Sequence, residues 1–406
     1  MATTAQLVQP LTPAARAKPL VLCHCTLVHG ELKSRTYHRQ LLPLARLGFD
    51  VRYIAPMKHG DPAGAVRIIP FSAPNGALRR FVVWPCLLKT LLRQNAQLYH
   101  FQDPQLLPLA LALKILFRKR VVYDAYEDFP SIALAKKSIP ALLRPIAAAA
   151  VAFSERLATH LFDAITTADP ITLRRFARSG KSEKLVFYNF PNVDFFPLPK
   201  PRRARFDLVY RGGMSVRTGI FVLFKALRLL SERAIRPRLL LLGYFDHPRD
   251  ERTFRNLVRA LGLEGQIEIR GRIDHARMAA ALSEARIGLS PLLAVPKFQK
   301  NIPVKIFEYW ACGLPVVATD LDPIRPFFRH SGAGLLVGPG SATELAGAIE
   351  WLLDHPESVG RMGKRGRALV DTRFNHSSEV HKLRRLFESV ASPHPTGEPR
   401  LCSNLW

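Results

Sequence analysis

Short runs of branched and leucine-rich residues alternate along most of the chain with longer stretches whose apolar positions recur every three or four residues. The short runs read as strands and the longer periodic stretches as helices. In the first half strands are expected at residues 20–25, 51–55, 66–71, 98–101, 121–124, 164–167 and 185–188. Helices are expected there at 34–47, 78–93, 104–117, 141–161 and 170–179. The pattern then restarts, with strands at 207–211, 238–242, 267–270, 287–291, 315–319 and 334–337. Helices of this half are expected at 219–233, 250–261, 276–284, 303–312, 342–353 and 357–370, with a last one near 377–390. Such alternation predicts parallel sheets covered by helices on both faces. The expected fold class is therefore α/β, with two Rossmann-like doubly wound domains facing a central cleft, where ligands bind at the carboxyl ends of the strands.

Between the two patterns, residues 189–206 carry Pro191, Pro197, Pro199 and Pro201 together with a basic cluster. Each proline removes a donor and biases its predecessor away from helix, so this stretch is expected to be an extended linker. The expected division is a first domain over 1–195, a second over 196–375, a terminal helix over 376–391 returning to the first, and a flexible tail over 392–406.

Composition narrows the classes. The 406 residues suit two domains, and with 48% hydrophobic residues both can bury a core. Fifty-nine Lys plus Arg against 32 Asp plus Glu give a formal net charge of +27. Both halves carry the excess, which implies attraction to something anionic rather than one basic arm. No uncharged apolar run reaches the roughly 18–20 residues that span a bilayer. The first residues lack the pattern of a signal peptide. The five cysteines, at 23, 25, 86, 312 and 402, make no CxxC pair, and a reducing cytoplasm is expected. His24 with His29, and His376 with His381, form no metal-ligand spacing. A nucleic-acid partner is not expected, because no basic motif is interleaved with aromatic residues.

The most informative stretch is 301–320, NIPVKIFEYWACGLPVVATD. Pro303 suits a helix start, Gly313 a helix end, and 315–319 a buried strand. Glu308 is the anomaly, a carboxylate between Phe307 and Tyr309 that needs a polar partner if buried. It either accepts hydrogen bonds from a ribose diol or pairs with Lys305 or Lys300 at the helix surface. Amides around 302–304 at the helix start suit a phosphate. Upstream, Arg211-Gly212-Gly213 follows a strand, and adjacent glycines let backbone approach a ligand. Arg217 and Arg211 offer forked donors to a diphosphate. Asp320 and Asp322 have the spacing of a divalent-metal D-x-D site, but a loop and helix cap fits their place after the strand better.

These residues also carry a resemblance. PVKIFEYWACGLPVVATD resembles the donor-binding segment of glycosyltransferase family 4, retaining nucleotide-sugar transferases of GT-B fold. KSRTYHRQLLPLARLGFDVRYIAP resembles that family's opening helix and second strand, and DLVYRGGMSVRTGIFVLFKAL its strand, glycine loop and helix. YHFQDPQLLPLALALK and VVYDAYEDFP are similar to a bacterial subgroup that builds cell-surface polysaccharides and glycolipids. FNHSSEVHKLRRLFESV takes the place of the family's terminal crossing helix.

The resemblance implies that Glu308 binds the nucleotide ribose, that Ile302, Pro303 and Val304 lie near the donor's phosphate and sugar, and that Lys305 neighbours the diphosphate. It places the acceptor on the first domain and the donor, UDP- or GDP-linked, on the second, with no metal and no separate cofactor. Arg217, Lys305 and Glu308 are then the candidate catalytic residues, and Arg211, Gly212 and Gly213 join the donor-binding set. Three departures stand out. Lys300 replaces a second glutamate, Thr218 stands where the family usually has a cation, and Gln102, Gln105 and Tyr126 replace His, Glu and His. Gln102, Asp103, Tyr126 and Glu127 remain the acceptor-side candidates. Glutamine and tyrosine can donate hydrogen bonds to sugar hydroxyls but do not replace histidine in acid–base work near neutral pH.

The implied function is sugar transfer from a nucleotide diphosphate sugar to a glycan or lipid-linked acceptor with retention. The alternative is a non-catalytic GT-B scaffold binding nucleotide, lipid or polysaccharide. An anionic membrane surface is an expected partner, through cations such as Arg79, Arg80, Lys89 and Arg93 and the segment 135–144. The expected location is the cytoplasm, peripheral on the inner face of the cytoplasmic membrane.

Overall fold

Two parallel sheets organise the computed structural model, which describes residues 19–27, 36–56, 64–71, 82–136, 138–198, 204–245, 248–296 and 298–392. The expected starts of the helices at 34–47 and 78–93, Arg79 and Arg80, residues 199–203 of the linker and nearly all of the tail lie outside the described residues. The first sheet contains β1 (Val21–Cys25), β2 (Asp50–Ala55), β3 (Arg67–Pro70), β4 (Leu98–Phe101), β5 (Arg120–Ala125), β6 (Ala164–Thr167) and β7 (Glu183–Val186). Its order is β3-β2-β1-β4-β5-β6-β7. The second contains β8 (Phe206–Met214), β9 (Leu239–Phe245), β10 (Ile267–Ile269), β11 (Ala285–Ser290), β12 (Val316–Thr319) and β13 (Gly334–Val337), in the order β10-β9-β8-β11-β12-β13.

Strands β4, β6 and β12 are buried at every residue, as parallel strands covered on both faces must be. That is why they read as continuous apolar runs rather than as alternating ones. In each sheet the strand order reverses beside the first strand of the set, between β1 and β4 and between β8 and β11. Such reversals open a crevice at the carboxyl ends of the strands. The residues that follow β1, β4 and β5, and those that end β8 and β11, are therefore the ones placed to meet ligands.

The described residues form two compact units, one from those up to 166, those at 175–185 and those from 383 on, the other from those at 167–174 and 186–382. The last helix, His376–Ala391, has its first residues in the second unit and the rest in the first. Within the first unit its Phe387 packs edge-on against His100, with ring centroids 5.5 Å apart.

Several local expectations change. The strand expected at 207–211 runs on to Met214, so Gly212 and Gly213 are not a loop after it but part of β8, in register with Gly243 and Tyr244 of β9. The helix expected at 170–179 ends at Arg174, because Arg175 turns to pair with Asp128 and Glu155. The strand expected at 185–188 is Glu183–Val186, and the Tyr188 amide donates to the Glu379 carboxylate at 2.9 Å instead of joining a ladder. A helix not expected from the pattern, Phe129–Ala135, is capped by Asp128, whose carboxylate accepts from Ser131. The described part of the linker is not loose, since Phe190 and Phe196 are buried in the second unit's core and Phe190 meets the Phe307 ring at 4.7 Å.

Candidate functional site

The helix Lys305–Ala311 has seven residues and all seven are buried, although two of them are Lys305 and Glu308. Aromatic contacts fix it against the second sheet. A Cβ on Gly288 of β11 would stand 2.5 Å from the Tyr309 ring, so only glycine admits the ring there. Pairing of β8 with β11 runs to Tyr210 and Leu289. Just beyond, the Tyr309 hydroxyl accepts the Arg211 amide at 2.8 Å and donates to the Leu289 carbonyl at 3.2 Å. Backbone groups that the ladder no longer pairs thereby find partners. Burial pushes the Tyr309 phenol well above the usual tyrosine range, which keeps it protonated as a donor. Trp310 Nε1 donates to the Ala333 carbonyl at 2.9 Å on the other side.

This frame presents three charged groups together. Arg211 Nη1 lies 3.0 Å from Glu308 Oε2, yet no N–H is aligned on that buried oxygen, which has no hydrogen-bond donor among the described residues. The contact balances charge and leaves the oxygen's lone pairs open. Glu308 is only 3% exposed, a costly place for an under-solvated carboxylate. Lys305 Nζ sits 4.1 Å from the centre of the Tyr210 ring. Gly212 has φ +134°, and a Cβ there would approach Lys305 Nζ to 3.2 Å. Burial first, then the Arg211 charge, pull Lys305 down to about 7, with Glu308 opposing them. Near neutral pH the ammonium is thus poised to lose its proton, and an arriving anion would hold it on.

The other donor-side candidates surround this trio less directly. The helix starts at Lys305 rather than at Pro303, so Ile302, Pro303 and Val304 form its approach, with Val304 as the cap. Pro303 has no amide to give, and its carbonyl accepts from Ile306 at 3.3 Å. Gly213 lies opposite Tyr244 in the β8–β9 register, and its carbonyl accepts from the Tyr210 hydroxyl at 2.7 Å. Arg217 is exposed on the short turn Val216–Thr218. It lines a cavity of about 330 Å³ with Phe221, Phe245, Asp250 and Phe254. Thr218, in the place of the family cation, closes that turn by accepting the Ser215 amide at 3.0 Å and donating to the Ser215 carbonyl at 2.8 Å. Asp320 and Asp322 both bind the Arg325 guanidinium, at 2.8 and 2.7 Å, so this D-x-D is a loop clamp.

In the first unit Gln102 and Asp103 are almost fully buried. Gln102 accepts from the Thr36 hydroxyl at 2.6 Å and donates to Asp124 at 2.8 Å. Asp124 also accepts from Gln40 at 3.0 Å and Thr166 at 2.9 Å. Asp103 accepts from the Thr26 hydroxyl at 2.8 Å and the Leu27 amide at 2.6 Å. These side chains hold the segments after β1 and β4, and the amide of Gln102 is suited to bridge a donor and an acceptor. Tyr126 is half-buried and packs edge-on against Phe129 at 5.5 Å, while Glu127 is exposed.

Several participants are not announced by the sequence. The Arg211–Glu308 pair joins residues far apart in the chain, and no local spacing points to it. Ser290, at the end of β11, has a buried hydroxyl without a hydrogen-bond partner among the described residues. It shares its strand face with Gly288, the face toward Tyr309. The hint was a serine closing an apolar strand just before Pro291. In the first unit a buried chain links Tyr123, Glu155 and Arg175, with the Tyr123 hydroxyl 2.9 Å from Glu155. Burial raises the Glu155 carboxyl above its usual range.

Two Rossmann-like domains, each with its candidate residues at the carboxyl ends of the strands, define a protein of the GT-B class. The solved structure of Anabaena HepE in complex with UDP matches over 91% of this chain and 100% of that one, with a TM-score of 0.67 at 15% identity. Residues 205–355 match the family model described as glycosyl transferases group 1. A stretch of 176 residues is 32% identical to the phosphatidyl-myo-inositol mannosyltransferase of Mycobacterium leprae, covering 43% of this chain and 44% of that protein. Another of 185 residues is 28% identical to the amylovoran biosynthesis glycosyltransferase AmsK of Erwinia amylovora, covering 44% and 43%. The matches span less than half the length of these curated relatives. The chain thus has the GT-B fold, and its residues 205–355 are similar to group 1 glycosyl transferases.

Proposed function

We propose that the protein transfers a sugar from a nucleotide diphosphate sugar, UDP- or GDP-linked, to a glycan or lipid-linked acceptor, with retention and without a metal cofactor. The observation that carries this reading is the buried Glu308 oxygen without a hydrogen-bond donor, flanked by Arg211 and Lys305. A ribose diol brings hydroxyl donors to the carboxylate, and a diphosphate brings further negative charge to two cations that share one carboxylate. HepE is described in complex with UDP, and AmsK is named for amylovoran biosynthesis.

On this reading the acceptor hydroxyl attacks the anomeric carbon while the bond from that carbon to the phosphate oxygen breaks. The acceptor's proton passes to the departing phosphate oxygen, so no side chain has to act as base. That suits a first unit in which Gln102 and Tyr126 stand in place of histidine. Lys305 and Arg211, with Arg217 on the adjacent turn, would stabilise the charge that builds on the leaving group.

An anionic membrane surface is the proposed docking partner. Leu142, Ile146, Phe153 and Leu157 are 90%, 65%, 68% and 52% exposed. They recur on one stripe of the turn Ala141–Leu143 and the helix Arg144–Thr159. The opposite stripe, with Ala148, Glu155 and Ala158, is buried. An exposed apolar stripe on a chain of net charge +27 suits the inner leaflet of a cytoplasmic membrane. No helix among the described residues is long and apolar enough to cross a membrane.

Calorimetry with UDP and GDP tests the donor site. Glu308→Ala is expected to weaken binding at least tenfold without unfolding the domain, and an unchanged affinity would remove Glu308 from the site. Turnover with labelled nucleotide sugars and a membrane lipid extract then separates enzyme from scaffold, since tight nucleotide binding without product on any acceptor marks the scaffold.

A further inference from the structure

We propose that Arg211 has two stations, Glu308 in the unliganded site and the diphosphate in the filled one, and that this exchange makes the site select nucleoside diphosphates over nucleosides. The inference rests on the nucleotide reading of the site and adds how its ribose and diphosphate halves are coupled.

The first station is visible. The guanidinium sits 3.0 Å from Glu308 Oε2 but is not aligned as a hydrogen bond to it. It is therefore held by charge rather than by fitted geometry, and the side chain is still 29% exposed. Its main chain is anchored, since the Arg211 amide is bound by Tyr309 at 2.8 Å. The next two residues are Gly212 and Gly213, which have no side chains to block a turn of the arginine toward the loop. Lys305 is by contrast buried under Gly212 and over the Tyr210 ring. One cation of the site is thus fixed and the other can move.

Competition for Oε2 supplies the coupling. The guanidinium is not hydrogen-bonded to this oxygen but stands 3.0 Å from it, in the approach that diol hydroxyls need to reach its open lone pairs. A nucleoside must displace Arg211 from a buried carboxylate and offers the guanidinium nothing in exchange, which leaves a charge without its partner. A nucleoside diphosphate gives the diol to Glu308 and phosphate oxygens to Arg211, whose forked donors match them. Occupying the diphosphate position alone should therefore free Glu308 for a nucleoside. By linkage the two halves then bind with positive cooperativity.

The test is calorimetry on the full chain with uridine and guanosine, each with and without saturating inorganic pyrophosphate. Pyrophosphate is expected to tighten the nucleoside that binds by at least about threefold. Glu308→Gln should abolish that gain. Arg211→Met should tighten the nucleoside by a similar factor without pyrophosphate, while weakening the corresponding diphosphate at least tenfold. A nucleoside affinity that pyrophosphate leaves unchanged or lowers overturns the proposal, as does an Arg211→Met protein that binds the nucleoside more weakly. The pyrophosphate experiment uses the unaltered protein, so its outcome does not depend on the variants folding. Failure of UDP and GDP alike to bind the unaltered protein is a separate result, which removes the nucleotide reading itself.

Discussion

The Tyr309 hydroxyl holds the Arg211 amide at 2.8 Å, and through it the helix that carries Glu308 is tied to the strand that carries Arg211. The same hydroxyl donates to Leu289 on the neighbouring strand. One side chain thus sets the spacing of three backbones at the edge of the candidate site. Tyr309→Phe keeps the ring and removes this tie, leaving a buried amide without its partner. The expected cost is about 1–3 kcal/mol of stability, read as a lower melting temperature. Nucleotide binding should weaken several-fold although Tyr309 itself touches no ligand in this reading. A variant with wild-type melting and wild-type nucleotide affinity would show that the tie is dispensable.

Gly288 is the other half of that arrangement. Because a Cβ there meets the Tyr309 ring at 2.5 Å, Gly288→Ala must push the ring and its helix away from β11. Overpacking of this kind costs on the order of 1–3 kcal/mol. Its signature should be a loss of UDP or GDP affinity larger than that of an alanine placed at an exposed glycine such as Gly265, where nothing lies within reach. Equal effects at the two positions would disconnect the ring contact from the site.

Lys305 predicts a pH dependence with a definite sign. Burial and the neighbouring Arg211 lower it to about 7 from its ordinary value of 10.5. In the unliganded site the charged fraction therefore falls as pH rises through 7, and an anionic ligand must bring the proton back. Diphosphate affinity is expected to drop about tenfold between about pH 7 and 8.5, and Lys305→Met should flatten the profile. Stability runs the other way. Between about 7 and 10.5 the unfolded chain binds more protons at this residue than the folded one, so folding becomes more favourable as pH rises across that window. Below it the full penalty of the buried charge remains, and Lys305→Met should melt higher than wild type there. A flat wild-type binding profile across the window would show that Lys305 does not serve the anion.

Both sheets are legible in the amino-acid pattern, because parallel strands buried on two faces must be continuous apolar runs, and β4, β6 and β12 are. Glu308 is legible for the same reason in reverse, as a charge in a helix otherwise built to be buried. What escapes is whatever depends on partners distant in the chain. Arg211 reads as a loop cation, but its first contact is Glu308, almost a hundred residues on. Gln102 and Asp103 read as residues facing an acceptor, yet Thr26, Thr36, Gln40 and Thr166 tie up the polar network they belong to. The helix Phe129–Ala135 escapes because it is too short to show a period. The prolines of the linker foretell an extended chain near 197–198, but Phe190 and Phe196 ahead of it bury themselves in the core.

The exposed stripe on the helix Arg144–Thr159 sets the last expectation. Its opposite face already packs inward through Ala148, Glu155 and Ala158, so the core gives no reason for Leu142 and Phe153 to be apolar at 90% and 68% exposure. Replacing both by aspartate should therefore leave the melting temperature unchanged within about 0.5 kcal/mol of stability. On vesicles of phosphatidylcholine containing phosphatidylglycerol, the same pair should lower binding at least tenfold, since it removes apolar insertion and adds repulsion from the anionic surface. The exposed cation Arg156, next to Leu157 in the chain, should make wild-type binding weaken as salt rises, contributing on the order of 1 kcal/mol near the surface. Vesicles of phosphatidylcholine alone should bind wild type less well than the anionic ones. If the double variant sediments with anionic vesicles as wild type does, the stripe is not the docking face and the charge alone brings the protein to the surface.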